Sequence, residues 1–233
     1  IMAVLWAFVP LANTFIFGKV PVPSLIEEGE QGLSLKELFG MKMFWILLIM
    51  MVCAGASEQA VSQWASTFAE KGLGISKVAG DLAGPMAFAV FMGTSRAFYG
   101  KYGDRMKLDR FMIISSLLCI ASYLGISLAP IPILSLISCA ICGLSVGIMW
   151  PGTFSKAAKA LPRGGTAMFA LLALGGDLGC SGGPTLVGTV SSLAGENLKL
   201  GIFAAGIFPV LLLLGIGMCN NVKKERKGLA WNF

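Results

Sequence analysis

The feature that most constrains this chain is a succession of apolar blocks, each long enough to approach the length of a membrane-spanning helix. A helix needs about 20 mostly apolar residues to cross about 30 Å of hydrocarbon. Only 13% of the 233 residues are charged, about half the share of a typical soluble domain. The sequence therefore predicts an all-α, polytopic membrane helix bundle. Its seven blocks run approximately over residues 1–17, 41–68, 78–99, 111–129, 131–153, 165–193 and 200–219.

The distribution of lysine and arginine predicts the orientation of these blocks. If each block crosses once, 15 of the 18 basic residues fall on one side, and only Lys71, Lys77 and Lys199 fall on the other. Such a bias places the basic side of the protein, with the C-terminus, in the cytoplasm. The predicted location is the cell membrane (plasma or inner). The basic residues form short clusters between apolar blocks, which is typical of topology signals and lipid contacts. They do not predict a nucleic-acid partner.

The sequence predicts no metal site, no cofactor and no enzymatic activity. The chain has no histidine, and its six cysteines all lie within apolar blocks, where cysteine behaves as a small hydrophobic residue. Cys139 and Cys142 form a C-x-x-C pair without the second pair that a zinc site needs. No phosphate-binding loop, dinucleotide fingerprint or nucleophile–base set is present.

The connection after the third block carries a recognisable motif. Residues 100–110 resemble the major facilitator superfamily signature G-x-x-x-D-R-x-G-R-R/K, with Gly100, Asp104 and Arg105 in register. Lys107 stands where the second glycine is expected, and residues 108–109 replace the following basic pair. The family places this motif between the second and third helices of each six-helix half. The resemblance implies that Asp104 and Arg105 belong to a gating loop, whereas the simpler alternative is a loop anchored by charge.

This resemblance also implies a domain organisation. Residues 1–17 would end the last helix of a preceding N-terminal half, which would be a partner of this chain. Residues 18–40 would be the cytoplasmic linker between the halves, 41–219 the six-helix C-terminal transport half, and 220–233 a cytoplasmic tail. Because the chain opens with Ile1 inside an apolar run, we expect the sequence to begin within a larger protein. Near the end of the linker, Ser34 and Glu37 match a helix-capping box.

Glu58 is the first candidate for a functional residue, because an ionised group deep in a membrane helix is costly and normally faces a cavity or a partner. Glu58 and Ser62 share one helical face, and Gln59 and Gln63 share the adjacent one. This polar strip ends at Trp64. Carboxylates and amides suit sugar hydroxyls, and an aromatic face suits the apolar side of a sugar ring. The alternative is a structural acid bonded to a neighbouring helix.

Asp177, in a glycine-rich stretch of the sixth block, is a second candidate. It could carry a proton or line the cavity, but it could equally be a polar residue linked to packing. Without histidine, proton coupling would need a carboxylate, and burial in an apolar cavity favours its protonated form. Glu58 is the predicted carrier. Arg96 is expected to reach the interface or to pair with the loop of Asp104, and Trp150 to anchor a block end at the interface.

Two G-x-x-x-G patterns, at Gly143 and Gly147 and at Gly179 and Gly183, predict helix-packing faces.

Together these features predict a secondary active transporter of a small polar solute within the lipid bilayer. A sugar or related metabolite is favoured, with proton coupling and alternating access. A drug or organic-cation exporter of the same superfamily is the nearest alternative, because an acid beside an aromatic ring also suits organic cations. A seven-span membrane receptor is a third possibility, and a flux assay set against a signalling assay separates these classes.

Overall fold

The computed structural model describes residues 2–21, 32–73 and 76–230, and over these residues the chain is built from α-helices. They divide into two compact units, residues 1–32 and 33–233. The helices, in chain order, are α1 (Met2–Phe17), α2 (Leu35–Gly40), α3 (Lys42–Ser62), α4 (Ala65–Leu73), α5 (Lys77–Asp81), α6 (Ala87–Tyr102), α7 (Leu108–Leu128), α8 (Pro132–Val146), α9 (Met149–Ala160), α10 (Gly165–Leu193), α11 (Leu198–Ala205) and α12 (Ile207–Ala230). The predicted all-α helix bundle is confirmed.

In the second unit α3 is the central helix. It packs against α10 and α12 and also contacts α8 and α9. Residues from Met43 to Val61 are buried along most of its length. A helix that is apolar all round is suited to the middle of a bundle, because every face finds a neighbour.

The helices outside this centre also pack against one another. Helix α8 packs against α6 and α7, and α12 packs against α7 as well as α3. The fourth and fifth blocks are separate helices: α7 ends at Leu128, and α8 begins at Pro132. Proline suits this first helical position because its missing N–H would have no partner there.

Several of the predicted blocks are interrupted helices. The second block breaks at residues 63–64 between α3 and α4, and the fifth breaks at residues 147–148 between α8 and α9. The third block contains a π-helical turn, Leu82–Met86, which includes Pro85. Proline removes a backbone donor, and the wider turn accommodates that loss. Interruptions of this kind are tolerated within a membrane where protein covers the freed backbone groups.

Among the described residues, four helical stretches are long and apolar enough to cross a membrane: Lys42–Glu70, Leu108–Leu128, Ile133–Ala160 and Leu198–Val222. A shorter apolar helix covers Ala7–Phe17. The blocks at 78–99 and 165–193 are helical but do not meet the same criterion, so their crossing of the membrane stays a prediction.

The two glycine patterns pack against neighbouring helices, as predicted. A Cβ atom on Gly143 would overlap the Phe88 carbonyl oxygen of α6, and one on Gly179 would overlap the Val52 carbonyl oxygen of α3. The α3–α10 contact has further glycines, and at these positions the backbone of one helix lies directly against the backbone of the other. We call this contact the glycine interface; its members are Gly55, Gly176, Gly179 and Gly183.

The capping box at the start of α2 is also confirmed. The Ser34 hydroxyl accepts a hydrogen bond from the Glu37 N–H, and the Ser34 N–H donates to the Glu37 carboxylate at 2.8 Å. The hydrogen bond from the Ser34 hydroxyl holds the pKa of Glu37 below its ordinary value, with help from the Ser34 backbone N–H. Because Met41 is extended, α2 is a separate short helix ahead of α3.

Candidate functional site

The Glu58 side chain forms an ion pair with Arg96. Arg96 Nη2 lies 3.0 Å from Glu58 Oε2 and joins α6 to α3. The Glu58 side chain is 14% exposed, whereas that of Arg96 is 44% exposed. The carboxylate is therefore mostly withdrawn from the surface, and the guanidinium covers it from the more open side. A buried carboxylate of this kind needs such a partner to remain ionised.

Arg96 also reaches the interruption between α8 and α9. Its Nε donates to the Gly147 carbonyl oxygen at 3.4 Å, at the residue that follows the last turn of α8. The negative end of the α8 dipole lies there, which favours a cation. We call this three-helix contact, formed by Glu58, Arg96 and Gly147, the Arg96 junction. The expected pairing of Arg96 with the Asp104 loop is wrong, because the guanidinium contacts Glu58 and Gly147. Its reach to the membrane interface stays a prediction.

The rest of the polar strip is spread over the end of α3. Gln59 and Ser62 are half-buried, and Gln63 is exposed. The Trp64 indole N–H donates to the Pro184 carbonyl oxygen of α10 at 3.2 Å. Glu58 thus contacts α6, while Trp64 contacts α10. The predicted strip does not continue regularly to Trp64, because α3 ends at Ser62 and the chain turns before α4.

Asp177 is exposed on α10. Cys180 follows Asp177 by one turn of the same helix. Of the two predicted carboxylates, only Glu58 has a cationic partner among the described residues.

The residues of the family motif lie where α6 turns into α7. Asp104 and Arg105 form part of a 3-10 turn, Gly103–Arg105, and both are exposed. Gly100 is in the last turns of α6, and a Cβ atom there would have no neighbour within 4 Å. In this conformation the motif makes no ion pair with another described helix. A gating role would therefore require contacts that form in a different conformation.

A second ion pair involves residues that the sequence analysis did not single out. Lys156 of α9 is 2% exposed, and its Nζ lies 2.6 Å from Asp109 Oδ1 at the start of α7. Asn220 Oδ1 of α12 lies 3.5 Å from the same nitrogen. Asp109 stands where the family motif has a basic residue. This difference is the signal in the sequence that Asp109 has a separate role.

Trp150 is also placed differently from the prediction. A Cβ atom on Gly176 would overlap its ring, so the side chain packs into the bundle beside the glycine interface and does not anchor a block end. Its Nε1 is buried without a hydrogen-bond partner in the described structure, as is the Ser57 hydroxyl oxygen next to Glu58. Buried polar atoms without partners are uncommon.

The described cysteines do not form a metal site. All six are free thiols, and Cys180 is the one that is partly exposed. Within the described residues, no group of three or more histidine, cysteine or acidic side chains could hold a metal ion.

Comparisons with known proteins agree with the fold and the motif. A search of curated proteins finds no match. The family model described as Major Facilitator Superfamily matches residues 1–184, which is well over half of the chain and includes α1, the motif and the Arg96 junction. Membership indicates a membrane transporter rather than an enzyme. The chain belongs to the major facilitator superfamily.

Proposed function

We propose that this protein is a secondary active transporter of a small polyhydroxylated solute, a sugar or a related metabolite, and that Glu58 couples transport to protons. The observation that carries the proposal is the Arg96 junction. Its ion pair joins α6 to α3, and Arg96 also contacts Gly147 at the break between α8 and α9. Discontinuous membrane helices commonly form the binding sites of secondary transporters.

The chemistry of the junction favours a neutral polar solute over an organic cation. The Glu58 carboxylate is already paired with the Arg96 guanidinium at 3.0 Å, so a cationic substrate would have to displace Arg96. A hydroxyl group can donate to the carboxylate and accept from the guanidinium at the same time. The half-buried Gln59 and the exposed Gln63 would offer further donors and acceptors. The exporter alternative is therefore the weaker proposal.

The same ion pair offers a physical basis for coupling. Protonation of Glu58 removes the charge that holds Arg96, and it frees the guanidinium to move relative to α3. The contact between α6, α8 and α3 would then loosen, which is the kind of discrete change that alternating access needs. Asp177, an exposed carboxylate of α10, is the second proposed proton carrier.

The test is proton-driven uptake of a panel of radiolabelled monosaccharides and polyols by purified protein in liposomes. In Glu58→Gln, accumulation driven by a pH gradient should be abolished, while counterflow exchange of the same solute continues. Glu70→Gln, the same change at an exposed position of α4, is the matched control and should accumulate normally. Accumulation by Glu58→Gln would refute the coupling role, and absence of uptake of every solute in the panel would refute the substrate class.

A further inference from the structure

A cavity of about 630 Å³ lies at the basic end of the bundle, between the start of α7 and the end of α9. Its lining includes four basic side chains, Lys107, Arg110, Lys156 and Lys159, and one carboxylate, that of Asp109. We call it the basic pocket. It is separate from the Arg96 junction, with which it shares no residue.

The charges of the basic pocket are only partly compensated within the protein. Asp109 is engaged by the buried Lys156. Lys107, Arg110 and Lys159 are exposed and form no ion pair with a described carboxylate. The pocket therefore presents an excess of positive charge. The N-terminus of the 21-residue helix α7 adds to it, because Lys107 provides no side-chain cap and the first N–H groups remain available to an anion.

An apolar surface runs from this pocket along α7. Ile114, which lines the pocket, is 55% exposed. Leu117, Leu124 and Leu128 are also exposed and follow Ile114 at intervals of about one or two helical turns, so they lie on one side of α7. The charged pocket and the apolar side of α7 thus form one amphipathic surface.

We propose that the basic pocket binds the phosphate of an anionic phospholipid, whose acyl chains lie along the exposed apolar side of α7. Lys107, Arg110 and Lys159 would hold the phosphate by charge-assisted hydrogen bonds. Basic pockets between membrane helices are suited to acidic lipid headgroups. A free phosphate would satisfy the same cations but would leave the apolar surface unused, which favours the lipid as the source of the anion.

The experiment measures energy transfer from the protein's tryptophans to dansyl-labelled phosphatidylglycerol in neutral detergent micelles, with dansyl-phosphatidylcholine as the comparison lipid. The double variant Lys107→Gln/Arg110→Gln loses two charge-assisted contacts, and its Kd for phosphatidylglycerol should rise by at least about tenfold. The variant Lys107→Arg/Arg110→Lys keeps the charges and should bind as the unmodified protein does, which shows that the site tolerates substitution. Lys36→Gln/Lys42→Gln removes the same charge outside the pocket and should leave the Kd unchanged.

Three results would overturn the proposal. Equal binding of the two lipids would remove the requirement for an anionic headgroup. An equal loss of binding in the pocket variant and in Lys36→Gln/Lys42→Gln would indicate general surface charge and no specific site. Displacement of dansyl-phosphatidylglycerol by inorganic phosphate as readily as by unlabelled phosphatidylglycerol would assign the pocket to a soluble anion.

Discussion

The glycine interface and the Arg96 junction both join α3 to neighbouring helices, but by opposite means. In the glycine interface α10 approaches α3 so closely that Gly55, Gly179 and Gly183 lie directly against backbone atoms of the other helix. In the Arg96 junction one long, 44% exposed side chain connects three helices through an ion pair and a carbonyl contact. The first contact is suited to helices that move together, and the second can be broken and formed again. The difference suggests which contacts change during transport and which do not.

The largest effect is expected in the glycine interface. Gly179→Leu should lower stability by at least about 3 kcal/mol, because overpacking against fixed backbone atoms cannot be relieved by a change of rotamer. The measurement is the Tm of the detergent-solubilised protein, from the fraction that remains monodisperse after heating. Gly182→Leu is the matched control on the same helix. A Cβ atom at Gly182 has no neighbour within 4 Å, so its Tm should be nearly unchanged. Similar Tm values for both variants would contradict the close approach of α3 and α10.

An intermediate effect is expected in the Arg96 junction. A double-mutant cycle of Glu58→Gln and Arg96→Gln should give a coupling energy of about 1 kcal/mol, because Arg96 is partly exposed and solvent screens the pair. The measurement is the Tm of the unmodified protein, the two single variants and the double variant. Additive effects would show that the pair contributes no stability, and a coupling several times larger would place the junction among the rigid contacts.

The smallest effect on stability is expected at the motif. Gly100→Ala should leave the Tm within the error of measurement, because the added methyl group meets no atom within 4 Å and alanine favours a helix. If the gating role is correct, the transport rate should nevertheless fall, since the methyl group would obstruct a closer approach in another conformation. An unchanged transport rate would support the simpler role of Asp104 and Arg105 as anchors of the loop.

The sequence predicted those features that depend on neighbouring residues or on composition. The helical blocks followed from hydropathy, the capping box of Ser34 and Glu37 from local spacing, and the packing role of Gly179 from the small residues of its helix. Glu58 was identifiable because an ionised side chain within an apolar membrane helix is costly unless it has a partner. Each of these inferences needs only a short stretch of chain.

The features that could not be predicted depend on how distant helices pack. Glu58 and Arg96 are 38 residues apart, and neither the partner of Arg96 nor the burial of Trp150 can be derived before the arrangement of α3, α6, α8 and α9 is known. The outcome at Trp64 has a different origin. Helical spacing predicts that the polar strip continues from Glu58 to Trp64, but α3 ends at Ser62.

The placement of the cysteines has a practical consequence for observing this protein at work. Five of the six thiols are buried, and Cys180 alone is partly exposed. A thiol-reactive fluorophore would therefore label the native protein at Cys180, without the removal of other cysteines. Cys180 follows Asp177 by one turn of α10, so the protein carries a natural attachment point for a spectroscopic reporter near one of its proposed proton carriers.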